Sequence, residues 1–273
     1  MSCGIDLCWA ADAVVLDVQG QVTVIAGNQT EPVHSGQALT TGDQLQSQGG
    51  TAKIIFADGQ IRTLEVGKTL QIAAPPQTTQ ADSVTAKVIR SLAELTHKSQ
   101  EPTRKATVRA ALRRIPVSRP CNTAILPDKI RITWRPLPQI QSLELVLKPD
   151  SSSEVTSIAL DPRSGEFTLS NDKVQLRPST KYFWKLRGLD TNGRPYDSKT
   201  CHWIVLSDEQ MRTLQEELHI LQERKDISSK ERDMLVAGLY LSYKLYDRAS
   251  PLLSAYADDP GMKGILENIQ QRD

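Results

Sequence analysis

Apolar and polar positions alternate with a period of two along much of the chain and change to a helical period near its end. Val14, Leu16 and Val18 alternate with their neighbours, Gly20 interrupts, and Val22 and Val24 resume. Successive strand side chains point to opposite faces, so this pattern predicts a half-buried strand pair. Ala52, Ile54 and Phe56 alternate up to Asp58-Gly59, a signal for a tight hairpin turn that needs positive φ. Leu64, Val66, Leu70 and Ile72 continue in short segments, and Gly36, Gly42 and Gly49-Gly50 mark further corners. Residues 14–74 therefore read as a small all-β domain.

A second alternating stretch covers residues 117–207. Ile130, Ile132 and Trp134 alternate, as do Leu143, Leu145 and Leu147, then Tyr182, Trp184 and Leu186, then Cys201, Trp203 and Val205. Pro149-Asp150 with three serines, Ser164-Gly165 and Asn192-Gly193 supply turns between them. Many short strands in about 90 residues predict a β-sandwich. From Asp208 the apolar residues Met211, Leu214, Leu218 and Leu221 recur at helical spacing, with Ser207 placed to cap the helix. A second helix is predicted over Ser229–Tyr246 and a third over Ala249–Ala257, ended by Asp259-Pro260-Gly261. The expected class is a multidomain, mainly β chain: an all-β domain, a sandwich and a short α-helical region over residues 208–273.

Charge redraws one boundary. The chain of 273 residues carries 33 Lys and Arg against 32 Asp and Glu, a net of +1. Residues 1–83 hold 8 acidic and 3 basic side chains, whereas residues 84–119 hold 9 basic and 2 acidic. The basic block follows Pro75-Pro76, so residues 75–116 read as a basic linker. It is partly helical, because Val84, Val88, Ile89, Leu92 and Leu95 keep helical spacing. Arg104, Lys105, Arg109, Arg113 and Arg114 would then be a contact for an anionic surface. Basic residues without interleaved aromatics disfavour a nucleic-acid partner. A solvated linker is the plainer reading.

Residues 1–13 form an unusual start. Ala11-Asp12-Ala13 fits the small-residue cleavage rule of secretory signals, but a charged start and an apolar core are missing. The stretch reads either as an ordinary tail or as a signal-peptide remnant, and the second is expected. No apolar run approaches the ~18–20 residues that span a bilayer. The expected location is periplasmic or secreted, with a cytoplasmic one still open.

The order Gly20-x-Val22, Gly36-x-x-Leu39, Gly42-Asp43-x-Leu45, Gly50-Thr51-Ala52 and Phe56-x-Asp58-Gly59 resembles the FecR domain. That resemblance implies a compact β-fold outside the bacterial cytoplasmic membrane and, in the namesake proteins, a part in iron-siderophore signalling to a sigma factor. Leu176-x-Pro178-x-Thr180-x-Tyr182 is similar to the tyrosine corner of fibronectin type III domains, with Trp134 at the buried strand-B position. In such a sandwich Cys121 opens the first strand and Cys201 sits early in the last, so a Cys121–Cys201 disulfide is geometrically possible, with two buried thiols as the plainer reading. Ala237, Tyr240, Ala249, Leu253 and Tyr256 fall where a tetratricopeptide-type hairpin places its small and large residues. That segment reads either as a helical cap or as a groove for a partner peptide.

No HExxH, GxSxG, Walker loop, GxGxxG or paired CxxC occurs, and the four histidines are far apart. Asp43 and Asp58 read as turn residues rather than metal ligands. No catalytic, cofactor or metal residue is nominated, and no cofactor is expected. The expected function is that of a non-catalytic cell-envelope protein acting as a protein-binding or scaffold module. A FecR-type sensory subunit, or an unrecognised hydrolase, are the alternatives.

Overall fold

The computed structural model describes residues 11–74, 84–97, 114–170 and 172–272. They divide into two compact units. One draws on Met1–Glu101, Glu217–Ser242 and Arg248–Gln270, and the other on Pro102–Glu216, Tyr243–Asp247 and Gln271–Asp273.

The first unit begins with eight short strands: β1 (Ala13–Gln19), β2 (Val22–Ala26), β3 (Gln29–Pro32), β4 (Ala38–Leu39), β5 (Gln44–Ser47), β6 (Thr51–Phe56), β7 (Ile61–Leu64) and β8 (Thr69–Gln71). They form two antiparallel sheets, ordered β4-β1-β6-β7 and β3-β2-β5-β8. Val15, Val24, Leu45, Ile54 and Leu64 share the core. The turn after β1 brings backbone against backbone. A Cβ built on Gly50 would lie 2.3 Å from the carbonyl oxygen of Gln19 and 2.6 Å from the nitrogen of Gln21. Gly20, at φ +78°, faces Gly49 and Gly50 in the same way. Any side chain at residue 50 would force the two strands apart.

β1 departs from the half-buried strand that its alternation predicts. Ala13, Val14, Val15 and Leu16 are all fully buried. Val15 enters the β core, whereas Val14 and Leu16 lie outside that cluster. Helices α1 (Val84–His97) and α3 (Ser229–Ser242) pack against β1 and cover its other face. The helical part of the expected basic linker is thus core: Val88, Ile89 and Leu92 have no exposed surface. α1 and α3 approach closely at Gly238, where a Cβ would sit 2.6 Å from Val88 Cγ1. The Ser91 hydroxyl donates to the Gly238 carbonyl at 2.7 Å.

The sequence reading places the C-terminal helices in a region of their own. In the structure α3, most of α4 (Tyr246–Ser254) and nearly all of α5 (Pro260–Arg272) belong to the same unit as the first eight strands. Ion pairs reinforce that union. Glu231, nearly fully buried, accepts from Lys53 Nζ at 2.9 Å and from the Ser228 N–H at 2.6 Å, the latter as half of a capping box. Lys230 Nζ reaches Asp17 at 2.8 Å and Asp259 at 3.1 Å. Asn268 Nδ2 donates to the Leu95 carbonyl at 2.7 Å. The small-residue face of α3 therefore meets α1, while Tyr256 Oη, just beyond α4, reaches back to Asp233 on α3 at 2.7 Å.

Asp259 gives this union a pH dependence. Burial pushes its carboxyl upward, but hydrogen bonds from Ser35 and Lys230 outweigh that and hold it below the ordinary value of 3.8. A depressed folded pKa contributes stability that is complete above 3.8 and is lost as pH falls through the folded value. The urea midpoint of the first unit is expected to fall on acidification below about pH 4, and Asp259→Asn to flatten that limb. An unchanged acid limb in Asp259→Asn would refute the assignment.

The second unit contains β9 (Val117–Arg119), β10 (Thr123–Ile125), β11 (Lys129–Trp134), β12 (Ile140–Pro149), β13 (Thr156–Leu160), β14 (Glu166–Ser170), β15 (Lys181–Asp190), β16 (Pro195–Asp197) and β17 (Cys201–Val205). One sheet runs β14-β11-β9, and the other β10-β17-β15-β12-β13 with β16 alongside β15. Only β10 and β17 pair in parallel among these strands; the rest are antiparallel. The strict alternation of β11, β15 and β17 sends Ile132, Trp184 and Trp203 inward to a shared core. Tyr182 Oη accepts a hydrogen bond from the Arg177 N–H at 3.0 Å, the corner that the Leu176–Tyr182 pattern predicts. Residues 243–247 belong to this unit, because the Lys244 carbonyl accepts from the Thr123 hydroxyl at 2.6 Å and from the Ala124 N–H at 3.0 Å. The chain is a multidomain, mainly β protein with short helices, many of them toward its C-terminal end. α2 (Asp208–Gln222) opens that series with Ser207 at its cap, since the Gln210 N–H donates to Ser207 Oγ at 3.1 Å.

Candidate functional site

Cys121 and Cys201 are joined as a disulfide, with Cα atoms 4.9 Å apart and a sequence separation of 80. Both are buried in the sandwich core. Cys201 lies opposite Trp184 in the β15–β17 register, and the rings of Trp184 and Trp203 stand 5.2 Å apart. Its neighbour His202 turns outward, because strand neighbours face opposite ways.

The outward face of β12, β15 and β17 gathers cations around exposed apolar groups. Register places Lys148, Phe183 and His202 in one row across the three strands. Lys181 and Ile204 form the next row, and Val146 with Lys185 the row on the other side. Lys181 Nζ lies 4.9 Å from the Phe183 ring centre, and the His202 ring 6.2 Å from it. Ile204 is 45% exposed. The carboxylates of this face concentrate beyond Lys185: Asp197 pairs with Lys185 at 3.2 Å, and Arg187 reaches Glu144 at 3.7 Å and Asp197 at 3.6 Å. Partial burial, and then the nearby Lys181 charge, hold the His202 imidazole below its ordinary value of 6.5. It is therefore largely neutral at pH 7 and adds ring surface rather than charge to the row.

The nominated basic cluster is only partly described. Arg104, Lys105, Arg109 and Arg113 lie outside the described residues. Arg114 is exposed and bridges to Asp197, whose carbonyl accepts the Ile115 N–H at 3.2 Å. Residues 1–10 also lie outside the described residues. Of the expected cleavage motif, Asp12 accepts the Thr41 hydroxyl at 2.7 Å and Ala13 opens β1, so cutting after Ala13 would remove groups that close the first sheet.

Turn carboxylates behave as the spacing predicts. Asp43 accepts the Thr40 N–H at 2.7 Å and its hydroxyl at 3.0 Å, and Asp58 accepts the Gln60 N–H at 2.9 Å. Among the described residues no three His, Cys, Asp or Glu side chains gather as a metal site. No described helix is long and apolar enough to cross a membrane. The first unit also has a cleft of about 540 Å3, lined in part by Gln21, Val33, His34, Gln48 and Asp259. The carboxylate on its wall is already engaged, because Asp259 holds Lys230 and accepts the Gly261 N–H at 3.0 Å.

What makes the second unit a fibronectin type III-like sandwich is its strand order, its tyrosine corner and Trp134 buried on the second strand of its three-stranded sheet. No family model matches the chain, and no curated protein matches it. Solved structures similar to part of it include an FN3 domain of human collagen XX, at 15% identity, covering 36% of this chain and 95% of that one with a TM-score of 0.26. Another is the fn3 domain of human contactin 1, at 10% identity, 37% and 93% coverage and a TM-score of 0.27. A third is an Fn3-like protein from Clostridium thermocellum, at 17% identity, 34% and 93% coverage and a TM-score of 0.25.

No sequence motif marks the residues that line the outward sheet face. Their alternation is legible, since Lys181, Phe183, Lys185 and Arg187 occupy every second position. Which strands lie beside them is a matter of register, and that is set by the fold.

Proposed function

We propose that this protein is a non-catalytic component of the bacterial cell envelope, periplasmic or secreted, that serves as a protein-binding scaffold. The binding role rests on one observation: the outer face of the sandwich leaves Phe183, Val146 and Ile204 in contact with solvent among lysines. Apolar side chains grouped on one sheet face are surface that a protein partner can bury. The buried Cys121–Cys201 disulfide supports an oxidising compartment, because thiols in the cytosol are kept reduced. The Gly20–Gly50 approach and the Asp58-Gly59 turn support reading residues 14–74 of the first unit as FecR-like. The α3–α4 hairpin is the tetratricopeptide-like element of that unit.

The test uses the full chain in its native cell. A photo-crosslinking residue at Ile204 is expected to trap a defined envelope protein, and Cys121 and Cys201 to resist alkylation until a reductant is added. Free thiols in a cytosolic fraction would overturn the location. Crosslinks that form equally from Arg131, on the opposite sheet, would overturn the binding role.

A further inference from the structure

Resting on the reading of the sandwich as a protein-binding module, we propose that the outward face of β12, β15 and β17 docks an extended acidic segment of a partner protein. Lys148 and Lys181 would contact its carboxylates, while Phe183 and Ile204 would contact its aliphatic side chains. The first argument is the arrangement. Lys181 and Lys185 stand two residues on either side of Phe183 along β15, and Lys148 is its cross-strand neighbour on β12. Same-face positions along a strand recur every ~6.6 Å and neighbouring strands lie ~4.8 Å apart. Cations thus flank the phenyl ring on three sides, and the neutral His202 closes the row on the fourth.

The second argument is charge. Glu144 and Asp197 are engaged by Lys185 and Arg187 at one end of the face. Asp150 follows Lys148 along the chain at the other end, with its N–H bonded to the Lys181 carbonyl. Among the described residues neither Lys148 nor Lys181 has a carboxylate within ion-pair distance. Lys181 instead rests on the Phe183 ring, where its ammonium stays poised for an incoming anion. A phosphate polymer offers negative charge but nothing aliphatic for Ile204 and Phe183, and three lysines make a small footprint for nucleic acid. An extended peptide alternates its side chains at the same repeat as the sheet, so acidic and aliphatic residues can meet both sets.

The probe is a fluorescently labelled twelve-residue peptide of alternating Glu and Val, titrated at neutral pH against the full chain with its disulfide intact. Saturable binding is expected, weakened about tenfold or more by Lys148→Glu with Lys181→Glu, because both contacts change from attraction to repulsion. Both residues lie on the surface, so the melting temperature should hold, and Phe183→Ser provides a second variant that tests the apolar half. Arg131→Glu, on the other sheet, should bind as the parent does. An affinity unchanged in the double variant, or equal for a Lys-Val peptide, would sink the proposal. So would no binding at millimolar peptide, or heparin and phosphatidylglycerol vesicles binding with the same sensitivity to both variants. If Ile204 traps a partner through a segment without acidic residues, the acidic-segment proposal fails while the scaffold reading stands.

Discussion

Deleting residues 208–273 is expected to unfold the first unit rather than trim a helical end from it. The deletion removes Met234, Leu235, Leu239, Ile265 and Ile269, which are buried. It also uncovers the side of α1 that meets Gly238 and part of the face of β1 that carries Val14 and Leu16. Each fully buried aliphatic side chain contributes about 1.5–3 kcal/mol. Four of them match the whole stability of a small domain, about 5–15 kcal/mol. Glu231 would leave Lys53 behind, and Asp259 and Lys230 would leave Asp17. Hydrogen exchange on the truncated chain should show amides of β1 and β6 exchanging without protection, while β12 and β15 keep theirs. Protected amides at Val15 and Ile54 in that variant would show that the strands fold without the helices. Gly238→Val probes the same union with one residue, because its Cβ would overlap Val88 at 2.6 Å. It should lower the urea midpoint of the first unit by the equivalent of roughly 3 kcal/mol.

Removing the disulfide should act on the other unit alone. Cys121 and Cys201 close a loop with a sequence separation of 80 residues. On the chain-entropy account such a loop stabilises the folded state by about 4 kcal/mol, mainly by restricting the unfolded chain. A Cys121→Ala, Cys201→Ala variant should lose that amount in the sandwich transition, and the transition of the first unit should not move. Tryptophan emission reports the event, since Trp184 and Trp203 are both in the sandwich core and Trp184 lies opposite Cys201. A loss below about 1 kcal/mol would mean that the unfolded chain is already compact near the two cysteines.

Much of the sandwich was legible residue by residue. Strict alternation in Tyr182–Leu186 and Cys201–Val205 means that each has one wet and one dry face, and the structure buries the residues that the pattern nominates. The Leu176–Tyr182 pattern is a local hydrogen-bonding device, so it could be read without knowing what surrounds it. The first unit was harder. Val14 and Leu16 fit the alternation of a half-exposed strand, yet Val15 between them is apolar too, and both faces are covered. That apolar run is the trace of α1 and α3, the second of which arrives from more than 200 residues further along the chain. The sequence alone places α1 in a charged linker because its basic neighbours dominate the composition. Its own apolar stripe of Val88, Ile89, Leu92 and Leu95 is plain in the sequence, but nothing in the stripe says what will cover it.

Local chemistry alone determined where strands turn, where helices begin and which side chains in each element avoid water, because those preferences act over a few residues. The fold decided which buried faces meet, so that α1 and α3 join the first eight strands and Lys148, Phe183 and His202 come together from three separate strands. Such pairings depend on contacts between residues distant along the chain, and a hydrophobic stripe has no address written into it. Only packing, register and the charges at the rim choose its partner.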